Sequence, residues 1–256
     1  MLVALTRPPS RAIENCELTH LERVNMDFDR MLRQHACYQD TLSSQGVRVK
    51  SLEASPTGAD AVFVEDSAIV LDEVAILASM GTASRRTEPG DVAAALGKYR
   101  PIERIELPAT IEGGDVLRIN RTLYVGLSPR TNELGVGVLS KIASEFGYQV
   151  MPIEIKGALH LKSACTALND TTLLVNENWI DCGALQDFER VPVADREPFA
   201  ANVIRLPGTI VMHQRCPDTI ASVEKKGFSV TTVDVSEFAK AEGGLTCLSL
   251  IFEGAA

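Results

Sequence analysis

The chain has 256 residues, 45% hydrophobic and 23% charged, enough to bury a substantial core and ordinary for a soluble globular protein. Its 34 acidic and 25 basic side chains give a net charge of −9, so the average surface repels nucleic acid and anionic lipid and favours a cationic small molecule. No stretch approaches the roughly 18 to 20 uninterrupted apolar residues of a membrane helix, and the opening residues have too short an apolar run, and no basic leader, for a signal peptide.

In chain order, residues 27–44 carry apolar positions at helical spacing, and a short strand follows at 47–52. Residues 62–71 and 73–78 read as two strands joined by a tight turn at Leu71-Asp72-Glu73, with a further strand at 102–107. A second hairpin, 115–119 and 122–126, turns at Asn120-Arg121. It leads into a helix over 135–146, stopped by Gly147, and a strand at 150–155. A third hairpin spans 165–168 and 171–175 around Asn169-Asp170. The fourth spans 201–206 and 209–213 around Pro207-Gly208, then a helix at 220–226 stopped by Gly227 and a strand at 230–235. Hairpin, helix and strand thus recur at a period of about 45 to 50 residues, the mark of a repeat architecture, and about five units fit the length. The expected class is α/β, with small sheets around an axis and helices outside them; an ordinary mixed α/β sheet is the blander alternative. No low-complexity linker divides the chain, so residues 1–256 read as a single domain.

Unusual polar residues fall at one phase of this repeat. They are Glu65-Asp66 inside an apolar strand, Glu112-Gly113-Gly114-Asp115 opening the next hairpin, His160 in Leu159-His160-Leu161-Lys162-Ser163, Asn202 in Ala201-Asn202-Val203, and Cys247 in Gly243-Gly244-Leu245-Thr246-Cys247-Leu248. Modules set around an axis bring these side chains to one central cavity, and a thiol, an imidazole and several carboxylates together form a catalytic constellation. Each has a plainer reading alone. Buried carboxylates need a partner, which a cationic ligand or a structural Arg could supply. Gly113-Gly114 could mark a bulge or a close approach of backbone to ligand. A lone His before an apolar strand is more often structural, and a Cys flanked by Leu is usually a small buried apolar residue. Only the common period raises all of them together.

With these motifs the chain resembles the dimethylarginine dimethylaminohydrolase family of the guanidine-modifying (pentein) superfamily. The resemblance runs through Phe63-Val64-Glu65-Asp66, Ser84-Arg85-Arg86, Glu112-Gly113-Gly114-Asp115-Val116, Gly126-Leu127-Ser128 with Arg130-Thr131-Asn132, Leu159-His160-Leu161-Lys162-Ser163, Ala200-Ala201-Asn202 and Leu245-Thr246-Cys247, in order and at family spacing. It implies a five-bladed, pseudo-symmetric ββαβ propeller (the pentein fold) forming one catalytic domain. It implies Cys247 as nucleophile and His160 as general acid/base, with Glu112 and Asp66 holding a guanidinium and Glu65 beside them. It further implies Phe63 as an aromatic wall, Arg85 and Arg130 as clamps on an α-carboxylate, Asp60 against an α-amino group, and Leu18 on a mobile lid.

The implied reaction converts Nω-methylated arginine and water to citrulline and an alkylamine through a covalent thiouronium, and requires no metal and no organic cofactor. Arginine deiminases of the superfamily carry Asp two residues after the catalytic His; here that position is Lys162, which fits a methylated nitrogen with no N–H to offer. Five residues before Cys247 the family usually has Asp, and this chain has Glu242. The rivals are another guanidine hydrolase resembling arginine deiminase, an amidinotransferase, and a propeller that binds arginine-like ligands without catalysis. The expected partner is a small guanidinium compound, with neither nucleic acid nor membrane; a homodimer fits the family. The six cysteines are scattered without a CxxC pair or metal-ligand spacing, which reads as reduced thiols in the cytoplasm.

Overall fold

The side chain of Asp27 accepts a hydrogen bond from the Arg30 amide at 2.9 Å and so starts the helix Phe28–Ser44. Met31, Gln34, His35, Tyr38 and Leu42 fall on one face of that helix and are its buried residues. In the computed structural model, which describes residues 1–254, this helix lies outside a three-stranded sheet formed by Ser249–Glu253, Leu2–Thr6 and Arg48–Ser51. Leu2–Thr6 pairs antiparallel with Ser249–Glu253 and parallel with Arg48–Ser51.

Four more sheets repeat this arrangement, each with an antiparallel hairpin and a third strand parallel to its middle one. The first module holds Ala68–Val70, Ala75–Leu77 and Ile102–Arg104, and the second Val116–Ile119, Thr122–Leu127 and Gln149–Glu154. The third holds Cys165–Ala167, Thr172–Val175 and Glu189–Pro192, and the fourth Ile204–Leu206, Thr209–His213 and Val230–Val233. A parallel third strand requires a crossover, supplied by helices Pro89–Leu96, Glu133–Ser144 and Pro217–Lys225 in three of these modules. The architecture is therefore the expected α/β propeller of ββαβ modules, and the mixed single sheet is excluded.

The apolar core divides the same way. Its five clusters each straddle two adjacent modules: one joins Ile69 and Ile76 to Leu123 and Leu139, the next Leu117 and Ile153 to Leu161 and Leu173, and so on until Leu77 and Leu96 meet Leu5 and Phe252. Burying a Leu, Ile or Phe side chain contributes about 1.5–3 kcal/mol, so the contacts between modules supply much of the stability and close the ring.

Several expected elements are corrected. The strand read over 62–71 is only Ala68–Val70, because Val64–Ser67 forms one short 3₁₀ turn before it; Glu65 and Asp66 therefore sit on a turn and not inside a strand. The same device precedes other first strands, as Gly113–Asp115, Leu161–Ala164 and Thr246–Leu248. The helix Pro89–Leu96 has no counterpart among the expected elements, although Pro at the first helical position is favourable. In the third module only the short turn Cys182–Leu185 stands where a crossover helix was due. The fifth module was hidden as well, because its hairpin is built from the two ends of the chain. No helix among the described residues is long and apolar enough to cross a membrane, and all six cysteines are free.

Candidate active site

The short turns that open the modules touch one another around the axis: Val64–Ser67 meets Gly113–Asp115 and Thr246–Leu248, and Leu161–Ala164 meets Gly113–Asp115. This convergence brings together residues from distant parts of the chain. Asp60, Phe63, Asp66, Arg85, Arg130, His160 and Cys247 line one cavity, with Glu17, Leu159 and Ala241 to Gly243 completing its wall. Glu112 is fully buried directly behind His160, its Oε2 2.8 Å from Nε2. On the other side of the ring, Nδ1 stands 3.8 Å from Asp66 Oδ1. Close packing at this point depends on Gly114, where a Cβ would come within 2.7 Å of both Asp66 Oδ1 and His160 Nδ1.

Asp66 also accepts the Gly114 amide at 3.1 Å and Arg85 Nη1 at 2.9 Å. Arg85 is itself held by Glu88 through Nε and Nη2, reaches the Asp60 carbonyl, and stands 3.7 Å from Glu112 Oε2. The partner left open for the buried Asp66 is thus a structural Arg in the ligand-free protein. Burial pushes the Glu88 carboxyl up to about 7 even against this guanidinium. Arg130 differs. It is buried, its Nη1 is 3.6 Å from Glu112 Oε1, and that nitrogen has no hydrogen-bond partner.

The electrostatics follow from crowding carboxylates against few cations. Burial opposes the charged form of His160, but the charges of Asp66 and Asp115 and the hydrogen bond to Glu112 outweigh it and raise the imidazole to about 9. In the ligand-free protein the imidazole is therefore protonated at neutral pH. Burial, with Glu65 and Asp66 nearby, pushes the Cys247 thiol up to about 12, against a small opposing effect of the Gly244 amide, 3.4 Å from Sγ. A bound cation would reverse that balance, because it stabilises a thiolate beside it. The same carboxylates offer a metal little: Asp66, Glu112 and His160 present one ligand atom each within 4.8 Å of one another, but the cation already lying against both carboxylates is Arg85.

Besides Glu112 behind His160, two more residues expected at the site stand off the cavity. Glu65 faces away from it, accepting from Lys162 Nζ and from Thr246 Oγ1 at 2.6 Å. Leu18 packs half-buried against the core of the fifth module, and its neighbour Glu17 reaches the cavity instead. The segment 17–21 is nevertheless fastened to the cavity wall. The Glu17 amide donates to Asp60 Oδ2 at 3.1 Å, Arg130 Nη2 to Thr19 Oγ1 at 3.4 Å, and the amides of Thr19, His20 and Leu21 all donate to the Glu242 carboxylate at 2.6 to 3.0 Å. The cavity beneath has about 20 Å³, space for little more than one water molecule. The carboxylate that departs from the family pattern is therefore engaged by the strap.

The sequence singles out Asp115 with Glu112-Gly113-Gly114 but gives it no role. Asp115 is fully buried, accepts Ser128 Oγ and Thr131 Oγ1 at 2.7 Å each, and receives the Leu161 amide at 3.0 Å, which fixes the backbone next to His160. Its position after Glu112-Gly113-Gly114 was the available signal.

Five three-stranded modules around a thiol, an imidazole and paired carboxylates define an enzyme of the pentein superfamily. Residues 19–250 match the family model described as "N,N dimethylarginine dimethylhydrolase, eukaryotic". The chain belongs to the dimethylarginine dimethylaminohydrolase family. It is 35% identical over 250 residues to the N(G),N(G)-dimethylarginine dimethylaminohydrolase of Streptomyces coelicolor, covering 96% of this chain and 95% of that one. To the protein of that name from Pseudomonas aeruginosa it is 30% identical over 251 residues, covering 97% and 98%. Among solved structures, a Cys-to-Ser mutant of the Pseudomonas aeruginosa enzyme complexed with citrulline superposes with a TM-score of 0.93 at 30% identity, covering 98% of each chain.

Proposed function

We propose that the protein hydrolyses Nω-methylated arginine, asymmetric dimethylarginine and monomethylarginine, to citrulline and dimethylamine or methylamine. The observation that carries this reading is the single cavity lined by Cys247, His160 and Asp66, with Glu112 bonded behind His160. Asp66 orients the planar cation through charge-assisted hydrogen bonds, Glu112 acts through His160 and by its charge from behind the ring, and Phe63 forms the wall. At the other end of the substrate, Arg130 offers its unpartnered Nη1 to the α-carboxylate. Arg85 joins it by exchanging one of its carboxylate partners. Asp60 takes the α-amino group in place of the Glu17 amide, which loosens the strap that carries Leu18. Glu65 stays outside the cavity, where its charge opposes the Cys247 thiolate and its oxygens hold Lys162 and Thr246.

Binding of the cation favours loss of the Cys247 proton to solvent, and the thiolate attacks the guanidinium carbon. The tetrahedral adduct is neutral. His160, protonated in the ligand-free protein, passes its proton to the departing amine nitrogen; the C–N bond breaks and an S-alkylthiouronium remains on Cys247. The neutral imidazole then takes a proton from water as its oxygen attacks the same carbon. Collapse expels the thiolate and releases citrulline, and the proton lost from the carbonyl oxygen leaves with the amine as an alkylammonium ion.

Against an arginine deiminase, the methylarginine reading is supported by Lys162. Its ammonium lies against Glu65 and outside the cavity, so no carboxylate follows His160 to hold an unmethylated nitrogen. Citrulline release is expected to be faster from asymmetric dimethylarginine and monomethylarginine than from arginine, by at least about tenfold in kcat/KM, the effect of one missing hydrogen-bonded contact of about 1.4 kcal/mol or more. Release in water without added amine distinguishes hydrolysis from amidino transfer. Arginine turning over fastest would remove the methylarginine reading.

A further inference from the structure

Asn202 lies outside the reacting cavity, yet its amide spans the two turns that carry the reacting groups. Its Nδ2 donates to the carbonyl of Lys162 at 2.9 Å, two residues after His160, and to Thr246 Oγ1 at 3.0 Å. Its Oδ1 accepts the Thr246 amide at 3.0 Å, the residue immediately before Cys247. Both donors and the acceptor are thus spent on fixing one turn against the other. Thr246 extends the brace: its hydroxyl donates to Glu65 Oε2 at 2.6 Å, and Glu65 holds the ammonium of Lys162. Glu65, Lys162, Asn202 and Thr246 come from four different modules and form a closed ring of hydrogen bonds beside the cavity. Tyr38 supports it from outside, donating to the carbonyl of Leu245 at 3.0 Å. The fit is tight, since a Cβ on Gly244 would come within 2.4 Å of Asn202 Oδ1.

We propose that Asn202, acting with Thr246, is a positioning residue that sets the distance between the Cys247 sulfur and the His160 imidazole. No covalent bond between modules performs this task, and the two side chains share no direct hydrogen bond. Any change in the relative placement of their turns therefore passes into the geometry of attack and proton transfer. Binding should be spared, because the groups proposed to grip the substrate, Asp60, Asp66 and Arg130, belong to the first two modules and make no bond to Asn202.

The inference rests on Cys247 and His160 being the reacting pair, and the test keeps the two ideas separate. Asn202→Ala and Thr246→Val are expected to lower kcat for asymmetric dimethylarginine by about 10- to 100-fold with KM within about twofold, since a misplacement near 1 Å can cost about a hundredfold. The double variant should lose no more than the worse single variant, because both cut one brace. Thr246→Ser, which keeps the hydroxyl, should recover most of the rate lost in Thr246→Val, and this arm holds even if Asn202→Ala fails to fold. A kcat within twofold of the native value in both single variants, a loss confined to KM, or equal losses in Thr246→Ser and Thr246→Val would overturn the proposal. If Cys247→Ser leaves turnover intact, the underlying reading fails instead.

Discussion

Replacing Cys247 by Ser is expected to lower the rate of citrulline formation by at least about a thousandfold while leaving dimethylarginine bound with little change in affinity. The guanidinium carbon is a poor electrophile, because its positive charge is spread over three nitrogens, and a thiolate is a far stronger nucleophile than a hydroxyl at accessible pH. In the ligand-free protein even the thiol is held up to about 12, and a serine hydroxyl starts from a much higher value. The groups proposed to hold the cation and its amino-acid end, Asp66, Asp60 and Arg130, are untouched by the change. Steady-state citrulline assays give the rate and calorimetric titration gives the affinity. Unchanged turnover would remove Cys247 from the reaction.

The second large effect concerns Asp66, where the structure concentrates several tasks on one carboxylate. It pairs with Arg85, accepts the Gly114 amide and faces the His160 ring. Asp66→Asn keeps the shape and removes the charge. A charge-assisted hydrogen bond is worth about 1.5–3 kcal/mol, so losing one to the guanidinium lowers kcat/KM by about 10- to 200-fold. The charge also favours the imidazolium of His160, so its loss must move that titration downward. In the native protein the surrounding carboxylates raise the imidazole to about 9. In the variant it loses its proton at lower pH, and between the two midpoints only the native protein retains the acid needed by the leaving amine. A histidine-resolved NMR titration reads this directly. An unchanged midpoint would show that Asp66 does not govern the protonation of His160.

Much of this was legible in the residues, for reasons that differ by position. The hairpins stand at the expected places, with shorter strands, because their turns carry local signals, such as Asn120-Arg121 and Pro207-Gly208, between apolar runs. The recurrence of polar residues at one phase was the most useful feature, since a repeat converts sequence spacing into angular position around an axis. Asp66, His160 and Cys247 meet because their turns occupy equivalent places in different modules. What escaped was non-local. Nothing near Leu2–Thr6 states that its partner is Ser249–Glu253, at the other end of the chain. Glu65 sits beside Asp66 in sequence but faces Lys162 and Thr246, because adjacent residues on a tight turn point in different directions. Glu242 could be recognised as unusual, but its three bonds to the 19–21 amides follow only from folding.

The departure at Glu242 also bears on how the site opens. A single carboxylate receiving three successive amides makes an anion-holding concavity of backbone N–H groups, here closed by a side chain of the protein itself. Asp60 and Arg130, the groups proposed to take the amino-acid end of the substrate, are bonded to the same strap. Substrate and the fastened strap thus compete for the same donors and acceptors.

Mass spectrometry of the protein quenched during turnover of asymmetric dimethylarginine tests the account most directly. The peptide containing Cys247 should gain the mass of the substrate less dimethylamine, the signature of the S-alkylthiouronium. An adduct on any other residue, or a peptide that stays unmodified while citrulline accumulates at full rate under conditions that trap the thiouronium intermediate, would contradict it.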